Sequence, residues 1–229
     1  FDIASDLPPT RLAEILPQPE LREAAFGTCR TTIGAAELTV TTLREEGSYG
    51  DHRHPDQVQF VQDLAIDARR RDFTVNALYY DPATRQLHDA VGGQEDLAAR
   101  VLRAIGDPGV RFVEDPLRLL RLVRFAGVAD LEVAEATLAA ARQHADGLRS
   151  LSAERVFGEL TKAFTGKGRG RALGMLVTTG LADVVLPEVA AMAGVQQPPQ
   201  YHPEGDVLVH VKLVLDHCPA GDPVLAWSA

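Results

Sequence analysis

The spacing of apolar positions changes character about a hundred residues into the chain. Before Gly93 they alternate or fall in short runs. Leu38-Thr39-Val40-Thr41-Thr42-Leu43 alternates and is rich in β-branched residues, which predicts a strand. Val58–Val61 and Leu87–Val91 predict two shorter ones, and Phe1-Asp2-Ile3 opens the chain in a strand-like stretch. A short helix is expected over 10–16, ahead of the loop Pro17-Gln18-Pro19. Glu45–Asp56 is polar and aperiodic, carries Gly47, Gly50 and Pro55, and reads as a loop. Arg69–Tyr80 fits a strand or a helix, and Asp81-Pro82-Ala83-Thr84 fits a turn.

After Gly93 the period lengthens. Asp96–Ala104, Asp115–Ala126, Glu132–His144 and Ala153–Phe164 read as amphipathic helices. Asp115-Pro116 supplies a helix start, with Asp as the cap and Pro in the first turn, and Ser152 opens the next helix in the same way. Gly166-Lys167-Gly168-Arg169-Gly170 is a basic break before a helix over Arg171–Thr179. Gln196–Pro203, with three prolines, reads as a linker, and Asp206–Leu215 starts a new element. The expected fold is α+β. A head with a small β-sheet occupies 1–105, an all-α neck and body 106–195, and a linker with the start of a further domain 196–229.

Composition narrows the class. With 45% apolar and 24% charged residues the chain is an ordinary globular protein, and it has no apolar run of about 18 residues to span a membrane. No basic-then-apolar leader opens it, and Cys29 and Cys218 match no metal-binding spacing, so a reducing, cytoplasmic setting is expected. The net charge of −9 speaks against non-specific coating of nucleic acid but leaves room for a local basic cleft. Of the 23 basic residues only Lys162, Lys167 and Lys212 are lysines; the rest are arginines, whose planar forks suit phosphates and base edges. The chain begins without Met and stops within an apolar run at Leu225–Ala229, so it reads as a fragment cut at both ends.

Three groups of residues could carry chemistry. Asp2 lies on the opening strand, where a D-x-D pair would present two carboxylates on one face and bridge two Mg²⁺ ions; only one of the pair is on this chain. Alone, Asp2 is a solvated strand-end acid. Arg69-Arg70-Arg71-Asp72-Phe73-Thr74-Val75-Asn76 offers cations for a triphosphate and polar groups for a ribose, or else a charged element entry with Arg71 and Asp72 facing solvent. Asp115, Arg118, Arg121 and Arg124 recur every three residues along one helix whose buried face is Leu119, Leu122, Val123 and Ala126. The structural account makes Asp115 a cap and the three arginines a solvated face. The chemical account makes them a base reader. A carboxylate accepts from the exocyclic amine of C or A while Arg donates to the adjacent ring nitrogen. Uracil and guanine present the opposite polarity at both places and are rejected.

"RRRDFTVNAL", "GGQEDLAARVLRAIGDPGVRFVEDPLRLLRLVRFA" and "SAERVFGEL" resemble the bacterial class II tRNA nucleotidyltransferases and their poly(A) polymerase relatives. "FDIAS" is similar to the second half of that family's D-x-D motif and "LTVTTLREEGSYGDHRHP" to its strand and following loop. The resemblance runs from Phe1 to about Ala193. It implies a nucleotidyltransferase-type head and template-independent, Mg²⁺-dependent addition of CMP and/or AMP to the tRNA 3′ end from CTP and ATP. In that frame Asp2 is the catalytic Mg²⁺ ligand, Arg71 contacts the incoming nucleotide, and Asp72 and Asn76 lie near its sugar. Asp115 and Arg118 pair with the base edge, and Arg121 and Arg124 complete the pocket. The loop Glu45–Pro55 assists the switch from C to A addition, and the basic segment Arg155–Arg171 meets the tRNA backbone or forms a solvated face.

The chain departs from the family in two respects. The glycine-rich motif and first D-x-D carboxylate are absent, and Thr39 stands where the family commonly has an acidic residue, with Glu37 able to substitute only after a register shift. The tail, Tyr201-His202-Pro203-Glu204-Gly205-Asp206 with His210, resembles the opening of an HD-type metal phosphohydrolase domain, whose adjacent His-Asp pair this chain does not carry. Poly(A) synthesis and an added HD-type phosphohydrolase activity are the alternative functions. No membrane partner is expected, and the oligomeric state does not follow from the sequence.

Overall fold

Alternation near the start of the chain builds a four-stranded sheet. In the computed structural model, which describes residues 1–21, 26–47, 50 and 57–229, β1 (Asp2–Ser5) is followed by α1 (Pro9–Ile15), β2 (Glu20–Leu21), β3 (Thr28–Ile33) and β4 (Ala36–Thr42). The strand order is β1-β4-β3-β2, with β1 and β4 parallel and the other pairs antiparallel. One face buries Cys29, Thr31, Val40 and Thr42, and α1, whose Leu12 is buried, packs on β3 and β4. β3 is not signalled by the apolar pattern, because the side chains it buries are a cysteine and a threonine.

Two hairpins complete this first unit, Phe1–Glu95. β5 (Arg44–Glu46) pairs with β6 (Val58–Phe60), so the start of the expected loop Glu45–Asp56 is strand; its residues 48–49 and 51–56 lie outside the described residues. Arg69–Tyr80 is neither a strand nor a helix throughout. It is the end of α2 (Leu64–Arg69), a single 3₁₀ turn at Thr74–Asn76, and the start of β7 (Leu78–Asp81), which pairs with β8 (Gln86–Asp89). The turn lets Phe73 and Ala77 bury completely while the chain reverses.

The second unit, Asp96–Ala229, is mainly helical. The helix expected over Asp96–Ala104 is instead α3 (Gly93–Ala98), and β9 (Val101–Leu102) follows after Arg100 takes a positive φ of 58° that no helix accommodates. Next come α4 (Pro108–Glu114), capped by the Asp107 carboxylate, and α5 (Leu117–Val128). The helix expected over Glu132–His144 begins as β10 (Glu132–Val133), parallel to β9, and becomes α6 (Glu135–Gln143). α7 (Ala153–Thr165) follows Ser152, whose side chain makes no capping bond to the helix. α8 (Arg169–Thr178) starts two residues earlier than expected, taking Arg169 and Gly170 into the helix. The short α9 (Ala182–Val185) and α10 (Pro187–Ala190) lead to α11 (Val207–His217), capped by Asp206, and α12 (Pro223–Ser228). α5 lies against α7 and α8, α11 against α8, and α12 against α7. Trp227 of α12 stacks on Phe157 at 5.0 Å and donates to the Thr161 hydroxyl at 2.9 Å. No helix among the described residues is long and apolar enough to cross a membrane.

Candidate functional site

In the first unit the sheet register decides what surrounds Asp2. Asp2 on β1 pairs with Thr39 on β4, and Thr39 pairs in turn with Arg30 on β3. Register partners share a face, and this is the face opposite Val40 and Cys29. Asp2 is exposed. Glu37 lies on the same face two residues before Thr39 and is ion-paired to Arg30, Nε to Oε1 3.2 Å. The side chain aligned with Asp2 is therefore a hydroxyl, and the nearby carboxylate of β4 is already engaged by a guanidinium.

The arginine motif is organised from below by a carboxylate. Asp67 sits on the last turn of α2, 1% exposed. It accepts from the Arg44 amide (3.1 Å), Arg70 Nε (2.8 Å), the Tyr79 hydroxyl (2.6 Å) and Arg71 Nε (3.3 Å). Burial pushes its carboxyl pKa up, but the Arg70 cation, the Tyr79 hydroxyl and the Arg44 amide outweigh burial and hold it below the usual carboxylate range. Arg71 also donates to the Tyr79 oxygen (2.9 Å) and the Asn76 carbonyl (3.2 Å), with its guanidinium 4.8 Å from the Tyr79 ring centre. Asp72 does not face solvent: it is buried, and one oxygen accepts from the Phe73 amide (2.8 Å) and Asn76 Nδ2 (3.1 Å). Of the three consecutive arginines, Arg69 is exposed, while Arg70 and Arg71 are held by Asp67 and, for Arg70, by Glu46 at 3.0 Å.

In the second unit α5 buries Leu119, Leu122, Val123 and Ala126 as expected, and Leu120 and Gly127 with them. The arginines are not a solvated face. Arg118 is 8% exposed, and its Nη1 donates to Glu114 Oε2 (2.7 Å) and the Arg111 carbonyl (3.2 Å). Arg124 lies over the Phe125 ring at 4.1 Å and is bonded to the buried Glu159 of α7. Arg121 approaches the same ring at 5.2 Å. Asp115 accepts from the Leu117 amide (3.1 Å), which caps α5, and from Arg155 Nη2 (3.0 Å) on α7. Asp115 and Arg118 thus stand one turn apart at the start of a helix, each held by a different oppositely charged neighbour.

Residues 1–103 match the family model of the poly A polymerase head domain, and 130–192 match that of the probable RNA and SrmB-binding site of polymerase A. The chain is 40% identical over 180 residues to the CCA-adding enzyme of Levilactobacillus brevis, covering 79% of this chain and 45% of that protein. It belongs to the CCA-adding enzyme and poly(A) polymerase family. The CCA-adding enzyme of a Geobacillus species is 39% identical over 181 residues, 79% of this chain and 45% of its own. The crystal structure of the Bacillus stearothermophilus CCA-adding enzyme with CTP superposes with a TM-score of 0.75 at 32% identity, over 83% of this chain and 46% of that one. The chain spans less than half the length of these relatives.

Within this family frame the structure adds side chains that motif reading left without a role. Asp67 and Tyr79 hold Arg71, Glu114 holds Arg118, Arg155 holds Asp115, and Glu159 holds Arg124. Asp67, three and four residues before Arg70 and Arg71 where α2 ends, is a usable signal; Tyr79 and Glu159 meet their partners only through tertiary packing. The basic segment from Arg155 is largely engaged inside the unit. Arg169 is buried, Arg171 pairs with Asp130 and Glu132, and Lys162 lies 3.3 Å from Glu159 with its own side chain exposed; Lys167 is also exposed.

Proposed function

We propose that this chain is the nucleotide-handling part of a template-independent nucleotidyltransferase that adds CMP and/or AMP to the 3′ end of tRNA in the cytoplasm. The observation that carries this reading is the start of α5, where an acceptor and a donor suited to the edges of C and A are preset by half-buried, oppositely charged partners. The tRNA 3′-hydroxyl attacks the α-phosphate of CTP or ATP; a new P–O bond forms, the bond to the β-phosphate breaks, and the hydroxyl proton and pyrophosphate leave.

Each unit has its task in this scheme. In the first, Asp2 offers a hard oxygen to Mg²⁺, an ion commonly bound through one or two carboxylates with substrate phosphates and water completing its shell. That donor type fits, and Thr39 adds no second carboxylate beside it. When bound, Mg²⁺ supplies charge stabilisation to the attacking and leaving oxygens. Arg71, kept cationic and oriented by Asp67 and Tyr79, meets the nucleotide phosphates, and Asp72 with Asn76 addresses the ribose. In the second unit Asp115 accepts the exocyclic amine of C or A, Arg118 donates to the adjacent ring nitrogen, and Arg121 and Arg124 complete the pocket. Exposed Lys162 and Lys167 meet the tRNA backbone.

The full-length protein, incubated with tRNA lacking its 3′ end and each labelled triphosphate separately, is expected to incorporate CMP or AMP and not UMP or GMP. Long A-only extension of a non-tRNA primer would make it a poly(A) polymerase, and robust UMP incorporation would overturn the base-edge account. Asp2→Ala is expected to abolish incorporation while leaving tRNA affinity unchanged.

A further inference from the structure

A carboxylate offers about four lone-pair sites, and five donors reach Asp67. Oδ1 takes three of them: the Arg44 amide at 3.1 Å, Arg70 Nε at 2.8 Å and Arg70 Nη2 at 2.7 Å. Oδ2 takes the Tyr79 hydroxyl at 2.6 Å and Arg71 Nε at 3.3 Å, the longest of the five. The uneven sharing has its cause outside Asp67. An arginine fork commonly meets a carboxylate through two parallel bonds, one to each oxygen, yet Arg70 places both nitrogens on Oδ1. Its remaining nitrogen, Nη1, is held at 3.0 Å by Glu46 Oε1. That same oxygen accepts from Arg44 Nε and Nη2, both at 2.7 Å. Glu46 ends β5 with its side chain 5% exposed, so the two guanidiniums meet a carboxylate sheltered from water. All of these residues lie in the first unit.

We propose that Glu46 is a positioning residue for the incoming nucleotide: by holding Arg70 Nη1 it keeps the Arg70 fork off Oδ2 of Asp67 and reserves that oxygen for Arg71. Without the Glu46 charge, Arg70 turns its fork onto both Asp67 oxygens. Oδ2 then holds Tyr79 and one Arg70 nitrogen, and the bond that yields is the longest, the one to Arg71. Arg71 keeps the Tyr79 oxygen and the Asn76 carbonyl, at 2.9 and 3.2 Å, but loses its anionic partner. Two neutral acceptors orient a guanidinium less firmly than a charged one does. The influence of Glu46 thus passes through Arg70 and Asp67 to a guanidinium on the far side of the carboxylate. The inference rests on the phosphate role proposed for Arg71 and adds to it a residue from the β5–β6 hairpin, which the motif around Arg71 does not include.

The test is the Kd of CTP for the full-length protein by calorimetry, at a temperature below every variant's melting transition. The KM and kcat for CTP, and the KM for tRNA lacking its 3′ end, are measured alongside. Glu46→Gln keeps the side chain's shape and an acceptor oxygen but removes the charge. It is expected to weaken CTP binding and raise the KM for CTP about tenfold, the order of one charge-assisted hydrogen bond. The kcat should change far less, as for a lost contact shared by ground and transition states, and the KM for tRNA should hold. The discriminating variant adds Arg70→Lys. An ammonium is a point charge without a fork and cannot span both Asp67 oxygens, so Glu46→Gln/Arg70→Lys should bind CTP more tightly than Glu46→Gln alone. A purely structural role predicts the reverse, because the second substitution removes further bonds. Arg71→Ala separates the two readings. CTP binding indifferent to Arg71→Ala would overturn the phosphate role and this proposal with it. Weakened binding in Arg71→Ala beside wild-type binding in Glu46→Gln, or a double variant weaker than Glu46→Gln, would overturn this proposal alone.

Discussion

At the scale of the residue, Asp67 shows how a buried carboxylate can set up a cationic motif that sequence reading assigns to arginines alone. Its oxygens collect Arg44, Arg70, Arg71 and Tyr79, and burial together with the bond to Asp67 raises the Tyr79 phenol well above its usual value, so Tyr79 remains a neutral donor. Asp67→Asn leaves two guanidiniums without their shared anion. The expected cost is about 3 kcal/mol by urea denaturation, the low end for losing one partner of a buried pair, and under the proposed phosphate role of Arg71 the KM for the triphosphate should rise. The pH dependence has a definite sign. A carboxyl lowered on folding stabilises the fold above its unfolded pKa of about 3.9, and that contribution is lost as pH falls through the folded value. The gap in melting temperature between wild type and Asp67→Asn should therefore be widest near neutrality and close below about pH 3.9. An equal gap at acid pH would mean that shape rather than charge sets the effect.

At the scale of the element, glycines decide how closely α5 and α8 approach. A Cβ on Gly168, which has a φ of +60°, would stand 2.2 Å from the Gly127 carbonyl oxygen, and a Cβ on Gly127 would meet the Gly168 oxygen at 2.8 Å. Backbone cannot give way as a side-chain tip can, so Gly168→Ala should destabilise by about 1–3 kcal/mol. Gly158 in α7 has open space around it, and Gly158→Ala should stabilise by about 0.5–1 kcal/mol. Urea melts of the two variants should move in opposite directions. The same element scale marks where sequence patterns lose their force. The buried stripe of α5 was legible because Leu119, Leu122, Val123 and Ala126 keep the helical period. β9 and β10 were not, because two-residue strands carry no period and pair only across about thirty residues of chain. β3 carries no apolar alternation because Cys29 and Thr31 do the burying, and Val101-Leu102 fits a helical pattern because nothing in it announces the left-handed turn at Arg100.

At the scale of the molecule, a small sheet-bearing unit presents Asp2 and the Arg71 group, and a helical unit presents Asp115 and the arginines of α5. These residues were legible as candidates because a run of three arginines and a polar stripe of period three stand out in the sequence and resemble the family's motifs. What holds them was not, since Glu159 and Arg155 meet α5 from 35 and 40 residues away. The central claim, that Asp115 and Arg118 choose the base, is tested most directly by Asp115→Asn. Asparagine still accepts from the Leu117 amide and caps about as well as aspartate, and it loses only the charge of a half-buried pair with Arg155, so the fold should be kept with a modestly lowered melting temperature. Its amide, however, can donate to the carbonyl of uracil or guanine, and the carboxylate that repelled them is gone. The measurement is the ratio of CMP and AMP to UMP and GMP incorporation by the full-length variant. The account predicts a ratio lowered by an amount corresponding to about 1–3 kcal/mol of lost discrimination. An unchanged C and A preference in a normally folded Asp115→Asn protein would contradict it and leave Asp115 as a helix cap.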